Sequence, residues 1–192
     1  TIQLDARNYI DQLTEQQRRG LPVKRYDFIY EDAINNYSVP YQLTTREFND
    51  KLYKLLTDDG IYMVELIDIF DSALFIGSFI NTLEKTFPFV AAISELDLSK
   101  RDRNTYVVIA AKHKLDLADV CKGFEVSKTA WYLNDSEIAQ LRDKSKGMVL
   151  TDDYAPVDNL MAPVANKNNN MQAIKLADQA EKYAWKGNLQ KA

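Results

Sequence analysis

The sequence predicts an α/β fold on a doubly wound, mainly parallel sheet, and three observations lead there. Apolar runs at Tyr26 to Glu31 and Ile61 to Ile67 alternate with segments whose apolar residues recur at helical spacing. The run Ile61 to Ile67 is apolar almost throughout, as in a strand covered on both faces. Acids stand where the strands stop, at Asp5 and at Glu31-Asp32, on the edge where such sheets bind ligands.

Ile2 to Leu4 reads as a strand end. A helix follows from Ala6 to Arg19, with Tyr9, Ile10 and Leu13 on one face, stopped by Gly20 and Pro22. After the strand Tyr26 to Glu31 comes an Asn-rich stretch. Thr44 or Thr45 then caps a helix carrying Phe48, Leu52, Leu55 and Leu56. Asp59-Gly60 signals a turn before the strand Ile61 to Ile67. A helix from Asp71 to Thr86 ends before Pro88. Phe89 to Ile93 and Tyr106 to Ala111 read as an antiparallel strand pair joined by the charged turn Ser99 to Asn104. The alternation calls for helices on both faces of the sheet. Leu115 to Ala162 is mixed, with one helix from Ser136 to Lys144. Residues 165–170 read as a flexible linker. The stretch 171–192 is a helical segment whose "AEKYAWKGNLQKA" resembles half of a tetratricopeptide repeat, the alternative being a plain terminal helix.

The 192 residues suffice for one domain with a substantial core. A net charge of −4 gives no field that favours nucleic acid or an anionic membrane. Cys121, the one cysteine, has no disulfide partner and no second thiol for a zinc site. His113, the one histidine, lies between Lys112 and Lys114 and reads as a solvated loop residue. Glu65, Asp68 and Asp71 interrupt Ile61 to Ile80, the best candidate for a membrane helix. The chain begins with Thr and has no signal-peptide pattern, which reads as a processed chain or a fragment.

Five stretches together resemble spermidine synthase-like proteins in their C-terminal half, closest to the bacterial branch fused to membrane or repeat segments. They are "LDARNYI", "YDFIYEDAINNYSVPYQLTTREF", "LLTDDGIYMVELID", "RNTYVVIAA" and "LTDDYAPVDNL". The resemblance covers residues 1–164. It implies an incomplete Rossmann-like domain of the class I S-adenosylmethionine-dependent methyltransferase fold. It implies aminopropyl transfer from decarboxylated S-adenosylmethionine, or use of S-adenosylmethionine itself, with no metal. The implied partners are a small-molecule amine acceptor and a second copy in a homodimer, not nucleic acid; the C-terminal helical segment offers a contact for a protein partner. The implied location is cytoplasmic, with any membrane attachment left to an N-terminal region outside this sequence.

The resemblance also assigns residues. Asp5-Ala6 matches the pair that holds the adenine, and a carboxylate suits an exocyclic amine. Asp5 reads equally as the cap of the following helix. Asp32 matches the acid that deprotonates the attacking amine, because a protonated amine cannot attack a sulfonium carbon. Asn35 stands where the family has a second Asp, so the site lacks one negative charge. Tyr37 and Tyr41 belong to the loop that closes over the acceptor, or to a loop packed on its own aromatics. Asp152, Asp153 and Tyr154 line the acceptor side, or form a solvated turn. Glu31 replaces an apolar residue and has no assigned role.

The family's glycine-rich cofactor loop and its ribose-binding acid are absent from these 192 residues. No side chain substitutes for the backbone amides of such a loop. The chain therefore reads as half of a cofactor site. Two other readings stay open: a methyltransferase with another nucleophile, and a non-catalytic interaction module on a degenerate fold.

Overall fold

The computed structural model describes residues 2–34, 38–95, 103–117 and 130–166. Its helices are α1 (Ala6–Arg18), α2 (Arg46–Leu55), α3 (Leu74–Leu83) and α4 (Asp135–Lys144), with a 3₁₀ turn at Tyr41–Leu43. Its strands are β1 (Tyr26–Glu31), β2 (Leu56–Ile69), β3 (Phe89–Ser94), β4 (Arg103–Ala111) and β5 (Trp131–Tyr132). A further helical segment spans 157–166.

The five strands lie in the order β1-β2-β4-β3-β5. β1 and β2 are parallel, and β4 runs antiparallel to both β2 and β3. β1, β2 and β3 therefore point the same way, with β4 inserted in reverse. β3 and β4 are the C-terminal antiparallel pair that the sequence predicts.

Local chemistry explains the boundaries. The Asp5 carboxylate accepts from Asn8 N at 3.0 Å and starts α1. Thr45 Oγ1 accepts from Phe48 N at 3.3 Å and starts α2. Asp68 starts α3 from inside the protein: Oδ2 accepts from Phe75 N (3.1 Å) and Ile76 N (2.9 Å), and Oδ1 from Ile69 N (2.7 Å). Asn134 and Glu137 form a capping box at α4. Residues 2–4 are not a strand, contrary to expectation, and Ile2 and Leu4 are exposed. A strand needs a neighbour for its amides, and among the described residues none lies beside them.

Asp59-Gly60 does not form a turn. It lies inside β2, where the pairing steps from Tyr26↔Leu56 to Phe28↔Ile61. The extra residues of β2 make a bulge. Gly60 is needed there, because a Cβ would meet Tyr26 O at 2.9 Å and Leu56 Cβ at 3.0 Å.

The two sheet faces are covered unequally. Tyr62, Val64, Leu66, Tyr106, Val108 and Ala110 belong to the main core, with Ile10 of α1, Leu52 of α2, Phe79 of α3 and Leu141 of α4. The 157–166 segment adds Val157, Leu160, Met161 and Val164. A smaller cluster around Ala91, Ile109 and Leu117 lies apart from it and includes Ile61 and Met63. The α1–α4 core residues thus all join one face, not both. β2 accordingly alternates fully buried and half-buried residues. α3 and α4 pack so closely that a Cβ on Gly77 would lie 2.1 Å from Leu141 O.

Candidate functional site

The parallel pairing sets Ile29 beside Tyr62 and Glu31 beside Val64, on the main-core face. Phe28 and Tyr30 fall on the other face, where they are 64% and 54% exposed. Tyr30 reaches along that face to donate to Glu65 Oε2 at 2.8 Å. The strand thus turns one of its last two residues inward and one outward, and Asp32 follows it, exposed.

Glu31 is the unusual member. Tyr62 Oη donates to its Oε2 at 2.5 Å. Its Oε1 is closed off from solvent and has no hydrogen-bond partner among the described residues. Burial pushes the Glu31 carboxyl up to about 7, against the opposing effect of the Tyr62 hydrogen bond. The Tyr62 phenol is pushed up in turn, first by burial and then by the Glu31 charge.

A cavity of about 280 Å³ opens at this end of β1. α1 contributes Ala6, Tyr9 and Ile10, and β1 contributes Ile29, Glu31 and Asp32. Leu43, Phe48 and Leu52 supply apolar wall from the 3₁₀ turn and α2. Its described lining contains two carboxylates and no Lys, Arg or His. A larger groove of about 770 Å³ lies at the opposite sheet edge, by β3 and α4. Its charged walls include Glu84 and Arg142, which pair with each other at 3.1 Å.

Of the residues singled out from the sequence, the structure brings Ala6 and Asp32 onto one cavity. Asp5 adjoins them, exposed, with its carboxylate on its own helix N-terminus. Tyr41 is 52% exposed. Asn35 and Tyr37 lie outside the described residues. Asp152 is held in a clamp: it takes Arg7 on both carboxylate oxygens, and its Oδ1 also accepts from Thr45 Oγ1 at 2.6 Å. Asp152 N donates to Glu47 Oε2 at 2.9 Å. The clamp sets the 151–154 turn against the first turns of α1 and α2. Asp153 and Tyr154 are exposed on that turn. Sequence reasoning missed the Glu31–Tyr62 pair; an acid on the inward phase of an apolar strand was the signal for it. Among the described residues no group of three or more His, Cys, Asp or Glu could hold a metal ion, and no helix is long and apolar enough to cross a membrane.

No family model and no curated protein matches the sequence. Solved structures do. A probable spermidine synthase from Corynebacterium glutamicum ATCC 13032 superposes with a TM-score of 0.60 at 18% identity, over 78% of this chain and 52% of that one. A spermidine synthase from Thermotoga maritima gives 0.47 at 16% identity, over 76% of this chain and 49% of that one. A spermidine synthase in complex with the transition state analogue AdoDATO gives 0.44 at 18%, over 74% and 47%. The chain has a spermidine synthase-like α/β fold, and it spans about half the length of these structures.

Proposed function

We propose that this chain is part of a spermidine synthase-like transferase that moves an aminopropyl group from decarboxylated S-adenosylmethionine to an amine. One observation carries the reading: on the fold shared with a probable spermidine synthase, Ala6 and Asp32 line the same cavity. In this reading the nucleoside lies towards Asp5-Ala6 and the acceptor nitrogen at Asp32. Asp32 binds the ammonium and takes its proton. The freed nitrogen attacks the propyl carbon next to sulfur; a C–N bond forms, the C–S bond breaks, and the electron pair leaves on sulfur as methylthioadenosine. The resemblance assigns Tyr37, Tyr41, Asp153 and Tyr154 to the acceptor side, and the Arg7–Asp152 clamp fixes the 151–154 turn that carries the last two. The sequence contains no glycine-rich loop, so these 192 residues supply one side of the cofactor cleft.

The test is transfer by the protein translated from the complete reading frame that carries these residues. Decarboxylated S-adenosylmethionine is mixed with a panel of mono- and diamines, and products are read by mass spectrometry. An aminopropylated amine appearing one-for-one with methylthioadenosine is expected. No such product from any amine overturns the reading. Methyl transfer from S-adenosylmethionine in its place would assign the methyltransferase alternative.

A further inference from the structure

We propose that Glu31 is a second carboxylate by which this cavity recognises an alkylammonium group, beside Asp32 at the reacting nitrogen. The inference rests on the amine-acceptor reading above and names a residue that the family motif does not include. Oε2 is occupied by the Tyr62 hydroxyl, while Oε1 is enclosed and has no donor among the described residues. A buried carboxylate oxygen without a donor is rare and unfavourable.

The cavity beside it selects the kind of donor. The titratable groups on its described walls are Tyr9, Tyr30, Glu31 and Asp32, and none carries a positive charge. Tyr9 shares a hydrogen bond with the Tyr26 hydroxyl at 3.2 Å, and Tyr30 donates to Glu65. Neither tyrosine is aimed at Glu31. The remaining wall is apolar, from Ile10, Ile29, Leu43, Phe48 and Leu52. An apolar chamber with two acids and no cation fits a cation on an aliphatic stem. The methylenes cover the apolar wall, and the ammonium, reached by a small rotation of the Glu31 side chain, supplies the missing donor. Glu31 thereby supplies a negative charge to a motif in which, by the resemblance, Asn35 replaces the second Asp.

A proton balance follows. Burial leaves Glu31 partly protonated at neutral pH. An ammonium binds its ionised form, so that proton leaves to solvent while the amine keeps its own.

The experiment is calorimetric titration of the 192-residue chain with n-butylamine, and with n-butanol as the neutral isostere. It is run in two buffers of different ionisation enthalpy. n-Butylamine should bind more tightly than n-butanol and release about half a proton at pH 7, falling towards zero at pH 9. Glu31→Gln keeps an acceptor for the Tyr62 hydroxyl; it should weaken n-butylamine at least tenfold and abolish the release. The wild-type proton count stands even if that variant folds poorly. Equal affinity for amine and alcohol, or no proton release from wild type, overturns the proposal. So does unchanged n-butylamine affinity in a folded Glu31→Gln. That last result together with observed aminopropyl transfer would sink Glu31 and leave the transferase reading intact. Glu31-dependent amine binding without transfer to any amine would do the reverse.

Discussion

Arg7 and Asp152, 145 positions apart in sequence, meet as a two-pronged ion pair, Nη1 to Oδ1 at 3.0 Å and Nη2 to Oδ2 at 2.5 Å. Arg7 also donates to Gln42 O at 2.7 Å. One guanidinium therefore ties α1, the 3₁₀ turn and the 151–154 turn together.

Asp152→Asn should lower stability at neutral pH by about 1 kcal/mol, the scale of a partly exposed but bidentate pair. The Arg7 hydrogen bonds, helped by Thr45, hold the Asp152 carboxyl below its ordinary range. A depressed acid stabilises the fold above its unfolded pKa and loses that contribution as pH falls through its folded one. The gap between wild type and variant in urea midpoint should be present at pH 7 and close in strong acid. A gap that persists in acid would show that the ion pair is not its cause.

Glu31 has the opposite sign. Its carboxyl rises from an ordinary 4.5 to about 7. A raised acid stabilises the fold below its unfolded pKa and loses that contribution as pH climbs through the folded value. Glu31→Gln should therefore gain stability over wild type between pH 5 and pH 8, by about 3 kcal/mol at most. Parallel denaturation curves across that range would contradict the burial assigned to this side chain.

Gly77→Ala inserts a methyl where Leu141 O already stands 2.1 Å away. α3 and α4 must then separate. A loss of about 1–3 kcal/mol or more is expected, well beyond any gain in helix propensity. Thermal denaturation measures it, and a neutral or stabilised variant would refute the close packing of these helices.

On the transferase reading proposed above, Asp32→Asn should cost about 10² to 10⁴ in transfer rate, the usual effect of losing a general base. Fold and nucleoside affinity should be retained. A rate within a few-fold of wild type would remove Asp32 from the chemistry.

The 192-residue chain by itself should bind methylthioadenosine and S-adenosylmethionine only weakly. It lacks the backbone amides of a glycine-rich loop. Micromolar affinity by calorimetry would contradict this.

The sequence was most legible where local chemistry decides the outcome. Thr45 before Arg46 marks a helix start, the helix expected from Ser136 begins at Asp135, and the apolar phase of β1 gives its ends. It misled where tertiary context overrode local signals. Asp59-Gly60 is turn chemistry, yet the β1 pairings on either side of it draw it into a long bulged strand. The 157–166 helix was missed although Val157, Leu160, Met161 and Val164 recur at helical spacing. Asp152 illustrates the limit at the site. Nothing local shows that an acid in an acidic turn will meet Arg7 across the chain. Glu31 was visible as an anomaly, but its meaning depended on Tyr62, which only the strand register brings to it.

The reversed β4 also governs the order in which the chain can assemble. β2 ends at Ile69, but the strand that covers its second edge begins at Arg103, with β3 lying between them in sequence. During synthesis the β1–β2 pair must wait, one edge open, until residues 103–111 emerge. The β3–β4 hairpin can close from local contacts meanwhile and then dock through β4. That interval exposes the apolar edge of β2, Leu66 and Ile67 included, to other nascent chains. A chaperone that shields this edge would therefore raise the yield of folded protein.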